Sequence, residues 1–84
     1  MSNTIEMIDE KYDQVFREEL IALERRREHD PSFGERDAAG VLHNLYIMDG
    51  NNWDGRGEIQ QASMSATIAA YEHFISELKR KKAV

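Results

Sequence analysis

From Ile59 to Leu78, apolar side chains recur around most of the circumference of a helix, and few folds accommodate such a segment. At about 100° per residue, Met64, Ile68, Tyr71, Ile75 and Leu78 form one bulky face. Ile59, Ala62, Ala66, Ala69, Ala70, His73 and Phe74 form a second, built mostly of small side chains. Only a narrow polar strip remains, carrying Glu58, Gln61, Ser65, Glu72, Ser76 and Lys79. A helix with two apolar faces must be covered on both.

Helix punctuation divides the rest of the chain. Asn3 with Glu6 is a capping pair, acidic residues crowd the first turns, and Arg25, Arg26 and Arg27 crowd the last. Ile5, Ile8, Tyr12, Val15, Phe16, Leu20 and Leu23 keep helical spacing between them. The spacing predicts a first helix over about 4–28. Pro31 ends it by disfavouring the helical conformation at Asp30. Ser32 with Glu35 reads as a capping box for a second helix over about 33–48, with Ala38, Val41, Leu42, Leu45 and Met48 on its main face. Gly50 is expected to stop it, and a third helix is expected over about 58–82. No segment alternates with the period of a strand, so the class is all-α: a three-helix chain forming a helical bundle.

At 84 residues the chain reads as one helical domain, 1–84, which leaves a lone monomer marginal. The second helix is short, and Ala62, Ala66 and Ala70 recur at i, i+4, i+8, a row that lets another helix approach closely. Ala39, His43, Tyr46 and Ile47 lie off the second helix's main face, and Ile21 and Ile47 are expected at the surface. The expected partner is therefore a second copy, in a dimer whose helices complete a larger bundle, and another protein is the further partner class.

Charge and composition narrow the alternatives. A net charge of −5 argues against general nucleic-acid binding. Arg25–Arg27 and Lys79–Lys82 each sit at a helix C-terminus and fan around its axis, which reads as solvated helix ends complementing the macrodipole. The absence of cysteine removes disulfides, thiolate nucleophiles and cysteine zinc sites. The N-terminal stretch has no basic segment followed by an apolar run, and Ile59–Tyr71 is too short and polar to span a bilayer. No membrane partner is expected, and the expected location is cytoplasmic.

Two places remain where chemistry could sit. The first is "MDGNNWDGRGE", Met48 to Glu58, which holds Asp49, Asn51, Asn52, Trp53, Asp54 and Arg56. As a calcium loop its register fails: counted from Asp49, Asp54 takes the position that needs glycine and Gln60 the position that needs glutamate. Gly55 and Gly57 flank Arg56 just before a helix N-terminus, a weak anion-binding signal without a Walker or dinucleotide pattern. The structural reading is a corner: Gly50 closes one helix, Asp54 caps the next, the other glycines supply positive φ, and Trp53 covers the bundle end. The second place is Glu19, in the middle of the first helix's apolar face, with His73 and Glu77 on the small-residue face of the third helix. A buried carboxylate needs a partner, so Glu19 is expected against His73, Tyr12 or an arginine. A bundle-core metal is the sharper alternative, but Glu-x-x-His and HExxH are both absent, so no metal and no cofactor are assigned. No catalytic set is legible. The chain reads as a small helical interaction protein, with a small-ligand or anion binder using Trp53 and Arg56 as the alternative.

Overall fold

Three α-helices follow one another: α1 (Asn3–His29), α2 (Glu35–Asn51) and α3 (Glu58–Ala83). The structure, a computed structural model, describes residues 3–51 and 57–83, with side-chain surroundings for 6–50 and 57–81. No strand occurs among the described residues, and no described helix is long and apolar enough to cross a membrane.

The helices begin and end a few residues from where the sequence placed them, and the reasons are physical. Ser32 belongs to the turn before α2 and does not cap it: its hydroxyl and its backbone N–H both donate to Asp30 Oδ1, at 2.5 and 3.1 Å. The N-cap is Gly34: its carbonyl accepts from Ala38 N at 3.1 Å, and its N–H donates to Asp37 Oδ2 at 3.1 Å. Asp37 thus performs the reciprocal half of a capping box in place of Glu35. Gly50 does not stop α2 either. The helix runs through Gly40 and Gly50 to Asn51, and none of the described glycines has positive φ. At the start of α3, Gln61 N donates to Gly57 O at 2.9 Å, which makes Gly57, not Asp54, the N-cap.

Direction along the bundle follows from contacts at its two ends. Lys79 Nζ meets Glu35 Oε1 at 3.8 Å, and Gln61 Nε2 meets Asp49 Oδ1 at 3.5 Å, so α2 runs antiparallel to α3. Phe16 of α1 meets His73 edge-on, and Glu24 and Arg27 share a groove with Glu77 and Lys81, so α1 and α3 run in the same direction. One pole therefore gathers the C-terminal ends of α1 and α3 with the start of α2. The other gathers the N-terminal ends of α1 and α3 with the end of α2.

α3 packs against both α1 and α2, whereas α1 and α2 barely meet although only residues 30–34 join them. This covers the two apolar faces of α3 in large part within one chain, leaving Met64 half-buried and Ile59 exposed. Ala66 and Ala70 are completely buried and Ala62 nearly so. On the wheel they share the side of His73, whose ring meets Phe16, so the small-residue row admits α1 rather than a second molecule. The row had been the sequence's main argument for a dimer, and it is used up inside the monomer.

The core lies toward the first pole. Leu23, Phe33, Ala38, Phe74 and Ile75 form a buried cluster, with Leu20, Leu42, Tyr71 and Leu78 packed against it. Phe33 and Phe74 stack with centroids 5.9 Å apart, and the Arg26 guanidinium lies 4.2 Å from the centroid of the Phe33 ring. Arg27 Nη1 donates to the carbonyls of Pro31 and of Phe33, the latter at 2.8 Å. The arginines at the end of α1 are therefore more than solvated charge: two of them hold the α1–α2 turn in place.

Candidate functional site

The pole opposite this core is where the molecule leaves apolar surface open. Val41 and Leu45 of α2 are only half-buried, and Met48 is 48% exposed. A shallow groove of about 390 Å³ runs between α2 and α3, lined by Leu45, Gln60, Ser63, Met64 and Thr67. Its hydroxyls are directed back into the helix: Ser63 Oγ donates to Ile59 O at 3.1 Å and Thr67 Oγ1 to Ser63 O at 3.0 Å. The groove consequently offers apolar contact more than polar recognition. On α1, Ile8, Tyr12, Val15 and Phe16 are half-buried, and Tyr12 and Phe16 stack at 6.5 Å.

This arrangement follows from the packing order. Two helices flanking a third without touching each other occupy three corners of a four-helix arrangement and leave the fourth corner open. Tyr46 bridges α2 to α3 near mid-length, donating its hydroxyl to Glu72 Oε2, and that bond together with the nearby carboxylate raises the phenol above its ordinary range. Tyr71, half-buried, is raised first by burial and then by the charge of Glu19, with Arg26 opposing.

The sequence-derived site residues fall as follows. Asp49 is half-buried at the end of α2, within 3.5 Å of Gln61. Asn51 is the last residue of α2, and Asn52, Trp53, Asp54 and Arg56 lie outside the described residues. Glu19 is half-buried and near enough to Tyr71 for its charge to act on the phenol, while His73 is exposed and contacts Phe16. No hydrogen bond or ion pair joins Glu19 to His73 among the described residues, and no described group of three or more His, Asp or Glu side chains could hold a metal ion. The expected interface positions Ile21, Ala39, His43, Tyr46 and Ile47 are all exposed.

The first pole has a groove of its own, of about 730 Å³, floored by Leu20, Phe74 and Leu78. Arg27 and Lys81 line it together with Glu24, Glu35 and Glu77. Two of these carboxylates are already in ion pairs, Glu35 with Lys79 and Glu77 with Arg80 at 3.3 Å. Sequence reasoning treated the two basic clusters separately. The shared direction of α1 and α3 is what brings them to one pole, and no local pattern announces it. Compared with known proteins, the chain matches no protein-family model, no curated protein and no solved structure.

Proposed function

We propose that this chain is a small helical interaction module that works as a homo-oligomer, in its simplest form a dimer. The observation that carries the reading is the amount of surface left open. A folded monomer of 9.7 kDa is expected to expose about 5,100 Å², and this chain exposes 6170 Å². The difference of about 1,000 Å² is surface that a more compact chain of this mass would cover, and a standard stable interface takes ~800 Å² from each partner. Large apolar side chains account for part of it: Met7, Ile21, Tyr46, Ile47 and Met48 are each about half exposed. The spread of the chain agrees, with a radius of gyration of 14.3 Å against about 12 Å for a compact domain of this length.

Sedimentation equilibrium across a wide concentration range tests the proposal. A dimer that dissociates on dilution is the expected result, with Ile47→Ser or Met48→Ser shifting the equilibrium toward monomer. A chain that stays monomeric at high micromolar concentration overturns it. Trp53, the single tryptophan, gives a second readout: its emission should change on dilution if the 52–56 segment borders the contact.

A further inference from the structure

From the distribution of charge along the bundle we infer that two copies pair side by side and antiparallel, the acidic half of each lying against the charge-balanced half of the other, where the arginines and lysines cluster. The inference rests on the dimer proposed above and specifies its partner surface. Shape gives the first constraint. The molecule measures 47 × 25 × 22 Å. An end-on contact offers an area of only about 550 Å², short of the ~800 Å² per partner of a stable interface. A contact along the length provides enough.

Charge gives the second constraint. The open half comprises residues 3–16, 43–51 and 57–70. It carries six acidic residues, Glu6, Asp9, Glu10, Asp13, Asp49 and Glu58, against one base, Lys11. That is −5, the net charge of the whole chain. The other half is balanced, with nine acidic and nine basic side chains across 17–42 and 71–84, and Asp54 and Arg56 cancel. Its basic groups are concentrated where α1 and α3 both end: Arg25, Arg26 and Arg27 beside Lys79, Arg80 and Lys81. Two helix C-termini there add partial negative charge that these cations offset. Parallel pairing would set five net negative charges against five. Antiparallel pairing sets each acidic half against arginines and lysines, the complementary arrangement that fixes register between partners.

The groove at that pole offers the apolar contact such a pair needs. Its floor of Leu20, Phe74 and Leu78 is apolar, and its edge carries Arg27 and Lys81 with Glu24, Glu35 and Glu77, the last two already paired with Lys79 and Arg80. The open half of a second copy offers exposed apolar side chains to fill it, Ile47 and Met48 among them.

The absence of cysteine makes the test direct, because a single introduced thiol takes a unique spin label. Met7→Cys and Arg80→Cys mark opposite ends on exposed positions. In the dimer, Met7→Cys paired with itself should give a label separation approaching the 47 Å length of the molecule. A mixed sample of the two variants should give a much shorter one. Charge reversal supplies an independent readout. Lys81→Glu and Lys11→Glu change net charge equally, yet Lys81→Glu should weaken dimerisation several-fold more. Circular dichroism checks that both stay folded. A short separation between two Met7→Cys labels, or equal effects of the two reversals, overturns the antiparallel arrangement and leaves the dimer standing. A monomer at every concentration overturns both.

Discussion

At one pole of this molecule a phenyl ring meets both a guanidinium and a second, stacked ring, and another arginine ties down the turn that carries it. At the other, the three helices end with Ile8, Tyr12, Val15, Leu45 and Met64 only half-buried. Both poles are built from the same helices and comparable apolar residues. What separates them is the covalent connection. Residues 30–34 bring α1, α2 and α3 together at the first pole, so Leu23, Phe33, Ala38 and Phe74 close over one another. Farther along, α1 and α2 lie on either side of α3, and none of the described helices fills the angle between them. Stability is therefore concentrated at one end, and surface for association at the other.

The largest test of this contrast is a pair of truncations. Phe74→Ala removes the ring that stacks on Phe33 and should cost about 3–5 kcal/mol in urea unfolding. Leu45→Ala, at the open end, should cost less than half as much when measured well below the dimer dissociation constant, because its surroundings are already half solvated. Equal costs would erase the distinction between the poles.

A smaller effect sharpens it. Arg27→Met keeps an apolar stem but loses the bonds to Pro31 O and Phe33 O. A loss of about 1–2 kcal/mol is expected, with faster hydrogen exchange around residues 33–38 and little change at 60–67. Next in size is a gain. A Cβ on Gly50 meets nothing within 4 Å, and the helix continues through it. Gly50→Ala should therefore stabilise by about 0.5–1 kcal/mol, visible as a higher thermal midpoint. A loss would mean that α2 ends before residue 50.

The smallest effect concerns pH. The Asp30 carboxyl is held below its ordinary range first by the Ser32 hydroxyl, then by the Ser32 N–H. A carboxyl lowered on folding stabilises fully above the unfolded carboxylate range, and that contribution disappears as pH falls through the folded value. Asp30→Asn should be less stable than the parent near neutrality, and the two should converge in acid. A difference that is constant with pH would remove the carboxylate from the account of the turn.

The helices were legible because their signals are local. Apolar spacing over Ile8, Tyr12, Val15, Phe16 and Leu23 marks α1, and Pro31 marks its end within a residue. The caps were only half legible. Ser32 could accept from a helix N–H or donate to a carboxylate, and in the structure it donates to Asp30 through a two-residue turn while the helix starts at Gly34. Gly50 was misread because a glycine marks a helix end only if the chain turns there, and here the backbone simply continues. The Arg26–Phe33–Phe74 stack was beyond reach, since it joins residues far apart in sequence and depends on the direction of α3. The same is true of Glu19: its place on the apolar stripe was visible, but which side of α3 that stripe meets was not, and it is Phe16 that meets the His73 ring while the charge of Glu19 acts on Tyr71.

The central position of α3 has a consequence for how the protein comes into being. Most of the helix face that α1 and α2 bury they bury against α3, which follows both of them in the chain. While a ribosome has delivered only the first fifty residues or so, the nascent chain has helix-forming segments and a turn but no core to close. Folding must wait for Phe74 and Ile75 to emerge. Until then the apolar stripes of α1 and α2 remain open to whatever else is nearby, including the same stripes on a neighbouring nascent chain.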